Sequence, residues 1–416
     1  MKLKQKYIIV FFYSLILSCS DNNKNTMTEN SVASDFIAPV VVDSLWGFIN
    51  EQGAIVLAPA YKVENNDIPY FQKGAAIVVS AQNNKKGIID TKGKWIIQPD
   101  YSAIWRISEN VFQCRADDNG IVSFRYYNAA GRQLNIPGTY DLGIFSEGLA
   151  TVKIGEKYGY MDTAFKLVIP PVFYDAAAFS EGLAAVDTNT KQDAFGDRIH
   201  KCGFIDHQGK WVLPENWEHG FEFKNHRCIV TKEDKQGVID KTGKVLVPFS
   251  FIFVSSNNGF RHGLAFVNDY EAYQKGNILK GIINITGNWV VPPTYDELSD
   301  YSEGLAAVKL NDKWGFVDTL GKVCIPVKFE EAGDFKNGLA IVKLDGKYGC
   351  INTHGDWIIP NQYEDLKQFV NGMAPAKTNG KFGYINNKGE WKIAPAFSAA
   401  GYFHNAGNLN DDLPAN

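Results

Sequence analysis

The sequence predicts an all-β protein made of about ten tandem repeats, each a meander of three short strands. Its 416 residues are 45% hydrophobic and 21% charged, a balance typical of a folded chain. Short stretches alternate with period two, and no long window shows the 3.6-residue period of a helix. One glycine recurs with a base spacing of 34 residues, which indicates a repeat array. It stands at Gly47, Gly87, Gly159, Gly203, Gly237, Gly281, Gly315, Gly349 and Gly383, and Arg125 takes its place in a degenerate tenth copy.

The first nineteen residues differ from the rest of the chain and predict a signal peptide. Lysines in the first six residues precede an apolar stretch from Tyr7 to Leu17. That stretch is about half of the ~20 residues that a membrane-spanning helix needs, so a transmembrane helix is the less favoured alternative. Ile16-Leu17-Ser18-Cys19 resembles a bacterial lipobox. The resemblance implies lipidation of Cys19 and a lipid anchor in a membrane, and the alternative is an ordinary cleaved signal with an incidental cysteine.

The segments on either side of the repeats are polar. Residues 20–36 are rich in Asn, Ser and Thr, which predicts a flexible tether. The repeat domain is expected over residues 37–403. Residues 404–416 are expected to form a disordered tail.

Within one repeat the order of strands and turns follows from local chemistry. A strand ends at Asp318, and Asp318-Thr319-Leu320-Gly321 predicts a tight turn, because Asp accepts backbone N–H bonds and Gly adopts positive φ. Asp or Asn occupies this turn position in all ten copies, from Asn50 to Asn386. The next strand, such as Trp357 to Pro360, closes on proline, which cannot extend a ladder on both sides. A loop then leads to a strand such as Glu303 to Val308.

Two phrases carry a resemblance to a known family. They are Lys313-Trp314-Gly315-Phe316-Val317-Asp318 and Phe179-Ser180-Glu181-Gly182-Leu183-Ala184-Ala185-Val186. The chain resembles bacterial proteins built of WG repeats, from about Leu45 to Phe403. It departs most around Arg125 and at Phe165, where a turn glycine is expected. The resemblance implies a β-repeat fold and transfers no catalytic signature.

A unit of about 34 residues cannot bury a core alone, so neighbouring repeats must stack. We expect an open superhelical or solenoid-like array. A closed β-propeller is the less favoured alternative, because ten repeats exceed the usual four to eight blades of a propeller and three strands are fewer than the usual four per blade.

The aromatic residues and cysteines fall in phase with the repeat. Trp46 and Trp314 share one position, and a second position holds Trp95, Trp211, Trp289, Trp357 and Trp391. Such phasing favours packing between repeats over a glycan-binding platform. The cysteines after Cys19 replace apolar or small residues and are expected to be buried free thiols. They are Cys114, Cys202, Cys228, Cys324 and Cys350.

The sequence offers little for catalysis, metals or nucleic acids. Six histidines and cysteines lie between His200 and Cys228, but their spacing matches no zinc pattern, so neither a metal nor a cofactor is expected. The turn aspartates stand singly, and motifs for a nucleophile elbow, a phosphate loop or HExxH are missing from the sequence, so we expect no enzyme activity. The formal net charge of −4 argues against nucleic-acid binding.

Three insertions extend the same turn of the repeat. The spacing from Val308 to Gly315 is 7 residues, whereas the equivalent spacings that begin at Cys114, Val186 and Val267 are 11, 17 and 14. Insertions at one turn lie on one rim of an array and often mark its binding face, although loop drift is the alternative reading. The candidate binding rim consists of Asp187, Asp193, Phe195, Asp197, Asp269, Tyr270, Glu271 and Tyr273.

These observations predict a non-catalytic surface or periplasmic lipoprotein in the cell envelope. It would be anchored in the outer membrane through Cys19 and act as a recognition scaffold for a protein or a glycan. The alternative is a structural envelope or adhesion component without a discrete ligand.

Overall fold

The computed structural model describes residues 36–64, 67–118, 120–137, 140–188, 200–253 and 260–405. The predicted signal peptide, Cys19 and the tether up to residue 35 lie outside these residues. Residues 35–416 form one compact unit. Its described part consists of short strands and a single helix of five residues, which confirms the predicted all-β class.

The strands follow one another repeat by repeat. Repeats 1 to 3 contain β1 (Phe36–Val42), β2 (Leu45–Asn50), β3 (Ile55–Lys62), β4 (Ala75–Val79), β5 (Lys86–Asp90), β6 (Trp95–Tyr101), β7 (Ala103–Ser108), β8 (Val111–Asp118), β9 (Ile121–Asn128) and β10 (Gln133–Leu134). Repeats 4 to 6 contain β11 (Asp141–Leu142), β12 (Leu149–Ile154), β13 (Lys157–Asp162), β14 (Leu167–Phe173), β15 (Asp175–Ala176), β16 (Ala184–Asp187), β17 (Cys202–Ile205), β18 (Trp211–Trp217), β19 (His219–Gly220), β20 (Arg227–Lys232), β21 (Lys235–Asp240) and β22 (Val245–Phe253).

Repeats 7 to 10 continue the series with the helix near their start. They contain β23 (Leu264–Asp269), α1 (Tyr270–Gln274), β24 (Lys280–Asn284), β25 (Trp289–Tyr295), β26 (Glu297–Leu298), β27 (Leu305–Leu310), β28 (Lys313–Asp318), β29 (Val323–Phe329), β30 (Glu331–Ala332), β31 (Ala340–Leu344), β32 (Lys347–Ile351), β33 (Trp357–Tyr363), β34 (Asp365–Leu366), β35 (Met373–Thr378), β36 (Lys381–Asn386) and β37 (Trp391–Phe397). The chain then adds β38 (Ala399–Ala400) and β39 (His404–Asn405).

Each repeat has the three predicted antiparallel strands, and most repeats have a fourth that the sequence did not predict. The extra strand comes first and has only two residues in most repeats, as in β26, which pairs with β27. Two residues are too few to show an alternating pattern. We number the strands of a repeat first to fourth in this order. In repeat 7 the end of β22 takes the place of the first strand by pairing with β23, while the sheet of repeat 2 has only β4, β5 and β6.

The recurring glycine marks a close approach between the third and fourth strands. The register of β28 and β29 shifts across Gly315, between Trp314 and Phe316, and again between Phe316 and Val317. A Cβ atom at Gly315 would lie 2.7 Å from the carbonyl oxygen of Ile325, so no larger residue fits. Repeat 3 tolerates Arg125 at this position because its fourth strand, β10, pairs only with Tyr126 and Tyr127.

The turn between the third and fourth strands is held by its first residue, as predicted. Asp318 Oδ1 accepts hydrogen bonds from the backbone N–H groups of Leu320 and Lys322, both at 2.9 Å. The same pair of bonds occurs in all ten copies, which confirms the predicted turn role. The accepting residues are Asn50, Asp90, Asn128, Asp162, Asp206, Asp240, Asn284, Asp318, Asn352 and Asn386.

The last residues of the described chain pair with the first. β38 pairs with Val40 and Val41 of β1 and so supplies the first strand of repeat 1. β39 pairs with Phe36 and Ile37. The predicted disordered tail is therefore wrong at His404 and Asn405, because these residues extend the sheet of repeat 1 instead of leaving it.

The hydrophobic cores lie between repeats and form a cycle. Among the described residues there are ten clusters, and each joins two successive repeats. One of them joins repeat 10 to repeat 1 through Phe403, Tyr384 and Val40. A Cβ atom at Gly53 of repeat 1 would lie 3.2 Å from Ile393 of repeat 10, and Gly389 has the same spacing to Ile359. The tandem array is thus joined at its ends, the closed β-propeller arrangement that the sequence analysis left as the alternative to an open array.

The phased aromatics pack between repeats, and four of the five cysteines are buried as predicted. Trp391 meets Tyr363 of the preceding repeat edge to face, with ring centroids 5.7 Å apart. Trp46 is buried, whereas Trp314 in the same position is only half-buried. Cys324 is exposed, contrary to expectation, because it occupies an outward-facing position of β29.

Candidate functional site

The turns between the second and third strands lie beside the corners that precede the first strands. In repeat 8 the backbone N–H of Asn311 donates to Asp296 Oδ2 at 2.9 Å. Glu218 and Glu364 accept equivalent bonds from Glu233 and Gly380 of repeats 6 and 10. We call the edge formed by these turns (residues 233–234, 311–312, 345–346 and 379–380) and the inserted turns after Cys114 and Val267 the hairpin rim.

The insertion after Val267 forms the helix α1. Asp269 caps it by accepting a hydrogen bond from Ala272 N at 2.8 Å. The side chain of Asn268 donates to the carbonyl oxygens of Ile278 and Leu279 at 2.9 and 3.1 Å, which closes the returning segment. None of the helix residues is buried, and Tyr273 is 44% exposed. The insertion therefore has a defined internal structure and an exposed surface.

Helix α1 also contacts the neighbouring repeat. Lys235 of repeat 6 lies 2.9 Å from Glu271 Oε1, and its Nζ is 5.0 Å from the ring centre of Tyr270. The hydrogen bond from Lys235 lowers the pKa of Glu271 and raises that of Lys235. Both groups are solvent-exposed, so the pair orients the helix more than it stabilises the fold.

The predicted rim residues have three different outcomes. Tyr270, Glu271 and Tyr273 lie on the exposed helix, and Asp269 serves as its cap. Asp187 is buried, which corrects its assignment to the rim: it is the last residue of β16, pairs with Cys202, and lies 3.1 Å from His200 Nδ1. Asp193, Phe195 and Asp197 lie outside the described residues.

The insertion after Cys114 lengthens two strands instead of forming a loop. β8 and β9 pair as far as Asp118 and Ile121. Ile121 and Val122 are exposed near the tip, and Arg115 pairs with Asp117 at 3.1 Å. This hairpin therefore adds exposed aliphatic side chains to the hairpin rim beside the exposed carboxylates of Asp117 and Asp118.

The histidine and cysteine cluster separates into different surroundings. His200 and His219 face each other with ring centroids 4.8 Å apart. Cys202 and Cys228 are buried, and burial raises the pKa of Cys202 to about 12, so both remain neutral thiols. In residues 36–405, with the gaps given above, no group of three or more His, Cys, Asp or Glu side chains is placed to hold a metal ion. That the protein binds no zinc stays a prediction.

A cavity of about 650 Å³ opens among repeats 1 to 4, and we call it the repeat 2 cavity. Its walls include Tyr70, Ile77, Trp105, Arg106 and Ile144. None of the motifs or insertions described above lies in this region, but two features of the sequence distinguish it. Tyr61 and Phe71 are ten residues apart, whereas the equivalent residues Phe329 and Phe335 are six apart. The residue that immediately precedes Phe71, and its equivalents in repeats 3 and 4, also differ in chemical type from the acidic residues found there in other repeats.

No helix in the described part of the chain is both long and apolar enough to span a membrane.

Comparison with known proteins identifies a repeat family. The model of the "WG containing repeat" family matches residues 46–85, 87–117, 126–158, 158–191, 203–235, 281–314, 314–348, 348–382 and 382–407. The segment between 235 and 281 has no match, yet it contains strands of the array, from β21 to β23. No curated protein matches the chain.

Solved structures resemble the chain only distantly. A crystal structure of a eukaryotic initiation factor is 10% identical, with a TM-score of 0.48, and the match covers 80% of this chain and 97% of that one. Kluyveromyces lactis Hsv2 is 10% identical with a TM-score of 0.33, covering 68% and 96%. The tricorn protease is 12% identical with a TM-score of 0.24, covering 80% and 39%. These similarities carry no inference about function.

Proposed function

Because the chain belongs to the WG containing repeat family, whose model matches most of its length, we propose that it is a non-catalytic recognition scaffold for a protein or a glycan. A repeat β-fold favours a scaffold or binding role, since stacked repeats present a large and stable surface without a catalytic site. The proposal places the protein in the cell envelope, held by a lipid at Cys19.

One observation carries the recognition role: the insertion after Val267 has a defined structure, and its helix lies at the surface. Its cap and the two bonds from Asn268 fix its backbone, and none of its helix residues is buried. A loop that has only drifted in length needs no such internal bonding. Tyr270 and Tyr273 supply rigid aromatic surface, and Glu271 supplies negative charge, a combination that suits a basic protein or a stacked sugar ring.

The absence of catalysis is part of the proposal. It is supported by the roles of the recurrent acidic residues, because Asp90, Asp162, Asp206, Asp240 and Asp318 are engaged by the backbone of their own turns. Each carboxylate serves a repeat position rather than a shared site. The buried thiols have raised pKa values, which leaves them poor nucleophiles.

The lipid anchor rests on the sequence of residues 1–19. Wild-type cells fed a clickable fatty acid should label the chain, and Cys19→Ser should abolish the label, because that thiol is the only acceptor in the resembled lipobox. Equal labelling of both chains would contradict the anchor without affecting the recognition role.

The recognition role is tested by trimming the inserted turn. The compact unit 35–416 is compared with a variant in which Asp269–Leu279 is shortened to the turn length found between Val308 and Gly315. We expect the trimmed protein to fold, since none of the residues that are lost is buried. It should lose binding to the proteins or glycans that the wild type captures from an envelope extract and on a glycan array.

Point substitutions provide the matched comparison. The double variant Tyr270→Ser, Tyr273→Ser should weaken capture, whereas Leu320→Ser should not. Leu320 is 80% exposed but lies in a turn between third and fourth strands, away from the hairpin rim. Unchanged capture by the trimmed protein would refute the rim as the site. A wild type that captures nothing would favour the structural envelope role instead.

A further inference from the structure

The repeat 2 cavity exists because repeat 2 departs from the pattern of its neighbours. In the described part of the chain, repeat 2 has only an isolated bridge between Tyr61 and Ser80 where other repeats have a first strand, while the first strand of repeat 3, β7, has six residues instead of two. The segment from Ile68 to Gln72 lines the cavity, and the wall continues along β7 to Ile144 and Phe145 of repeat 4. The volume of about 650 Å³ falls within the range of sites that enclose small molecules.

One position of the repeat gives the cavity its character. This position immediately precedes the buried aromatic or apolar residue before the second strand. In repeats 6, 8 and 9 it holds the acidic residues Glu222, Asp300 and Asp334. In the three successive repeats 2, 3 and 4 it holds Tyr70, Arg106 and Ile144, and all three line the cavity. The acidic residue of repeats 6, 8 and 9 thus corresponds here to an aromatic ring, a cation and an aliphatic side chain.

Among the described residues that line the cavity, Arg106 is the cation without a carboxylate partner. Its guanidinium donates to the carbonyl oxygens of Glu109 and Gln72 at 3.0 and 2.9 Å and lies 4.4 Å from the ring centre of Phe112. Within the described residues, the carboxylates of the cavity wall are engaged elsewhere. Glu109 pairs with Lys73 at 2.6 Å and Asp67 pairs with Lys86 at 2.7 Å.

Arg106 is also partly removed from water. Its burial lowers its pKa, because desolvation disfavours the charged guanidinium. A bound anion would pair with this cation through charge-assisted hydrogen bonds.

The remaining wall is mostly apolar and partly open. Trp105 is 45% exposed and Ile144 is 69% exposed, although both line the cavity. Trp46 is buried in the same wall, and among the described residues its indole Nε1 has no hydrogen-bond partner. That nitrogen is closed to solvent, so an acceptor would reach it only after a side-chain shift. Exposed aromatic and aliphatic groups around a cation suit a ligand that is itself amphipathic.

We propose that the repeat 2 cavity binds a small amphipathic organic anion, with a body of one or two rings and a carboxylate that pairs with Arg106. The rings would lie against Tyr70, Trp105 and Ile144. Neither the hairpin rim nor the lipid anchor enters this proposal.

Two probes that share a ring system but differ in charge test the proposal. They are 1-naphthaleneacetate and 1-naphthylmethylammonium, titrated into the compact unit 35–416 by isothermal calorimetry. We expect one saturable site for the anion and at least about tenfold weaker binding of the cation, because only the anion pairs with Arg106. The proposal would be overturned if neither probe bound saturably, or if both bound with equal affinity.

Two substitutions locate the site with little risk to the fold, because each introduces a residue that another repeat carries at the same position. Arg106→Gln copies Gln368 and removes the charge, and Ile144→Asp copies Asp334 and places a negative charge in the wall. Each should weaken anion binding by about tenfold or more. Ile144→Asp removes none of the bonds that Arg106 makes, so it remains informative if Arg106→Gln is unstable.

The matched control is Ala178→Asp. Ala178 holds the same position in repeat 5, one repeat beyond the cavity, and does not line it. This variant undergoes the same change of charge as Ile144→Asp and should bind the anion as the wild type does. If Ala178→Asp weakened binding as much as Ile144→Asp, the site would lie outside the repeat 2 cavity.

Discussion

Closure of the repeat array predicts that a residue at the C-terminal end of the chain stabilises the fold as much as its counterpart in the middle. Phe403 and Phe335 hold the same repeat position, and both are 1% exposed. Phe403 packs on Tyr384 with ring centroids 4.8 Å apart, and Phe335 packs on Phe316 at 4.9 Å, with the same interplanar angle of 58°. Their surroundings differ in one respect: the cluster around Phe403 includes residues of repeat 1, such as Val40 and Ile49.

The cost of each truncation follows from this burial. Replacing a buried Phe with Ala destabilises a protein by about 3–5 kcal/mol, through lost burial and the cavity left behind. For about 370 cooperatively unfolding residues, an unfolding entropy of roughly 2.1 cal/mol/K per residue gives roughly 0.8 kcal/mol/K. Phe403→Ala and Phe335→Ala should therefore each lower Tm by about 4–6 °C.

The assay is calorimetric melting of the unit 35–416 and its two variants, repeated as urea titrations. In a closed ring both variants lose similar stability and unfold in a single transition. In an open array Phe403 would belong to a frayed end. A cost below about 1 kcal/mol for Phe403→Ala, beside a full cost for Phe335→Ala, would refute the reasoning.

Three further predictions follow from individual residues. Trp314→Ala should cost less than the about 3–5 kcal/mol of a fully buried aromatic, because Trp314 is only half-buried, and urea titration beside Phe335→Ala measures the difference. Hydrogen bonds from the backbone, first that of Lys322, lower the pKa of Asp318, and a hydrogen bond from the Thr242 hydroxyl lowers the pKa of Asp240. Both carboxylates therefore stabilise the folded protein at pH values above their unfolded pKa values. This stabilisation is lost as the pH falls below about 4, through the lower pKa values of the folded state. Asp318→Asn should keep both turn bonds, as Asn352 does in repeat 9, and should reduce the acid sensitivity of Tm; a steeper acid loss in this variant would contradict the assignment.

The sequence predicts those parts of the fold that depend on local chemistry. The turn role of Asp318 and its nine counterparts was predictable because Asp and Asn bond their own backbone. The strands around Gly315 were predictable because alternation and spacing repeat along the chain. The first strands were missed because two residues carry no period, as at β26.

The parts that the sequence could not predict depend on distant contacts. Pairing between β1 and β38 joins residues about 360 positions apart, and no local sequence pattern indicates that these residues pair. Asp187 was assigned to the rim because it follows Val186 in an inserted turn, but β16 continues one residue further and directs it inward. Comparison of equivalent positions across repeats could have identified Tyr70, Arg106 and Ile144.

The most direct test of the recognition role is photo-crosslinking on the full chain in living cells. A benzophenone amino acid replaces Tyr270 or Tyr273 on the hairpin rim, or Leu320 in the turn between β28 and β29. Benzophenone reacts with C–H bonds of any molecule held against it, so a bound protein or glycan is captured at its point of contact. We expect a discrete crosslinked adduct from positions 270 and 273 and none from position 320. Adducts from position 320 alone, or the same adducts from all three positions, would contradict recognition through the hairpin rim.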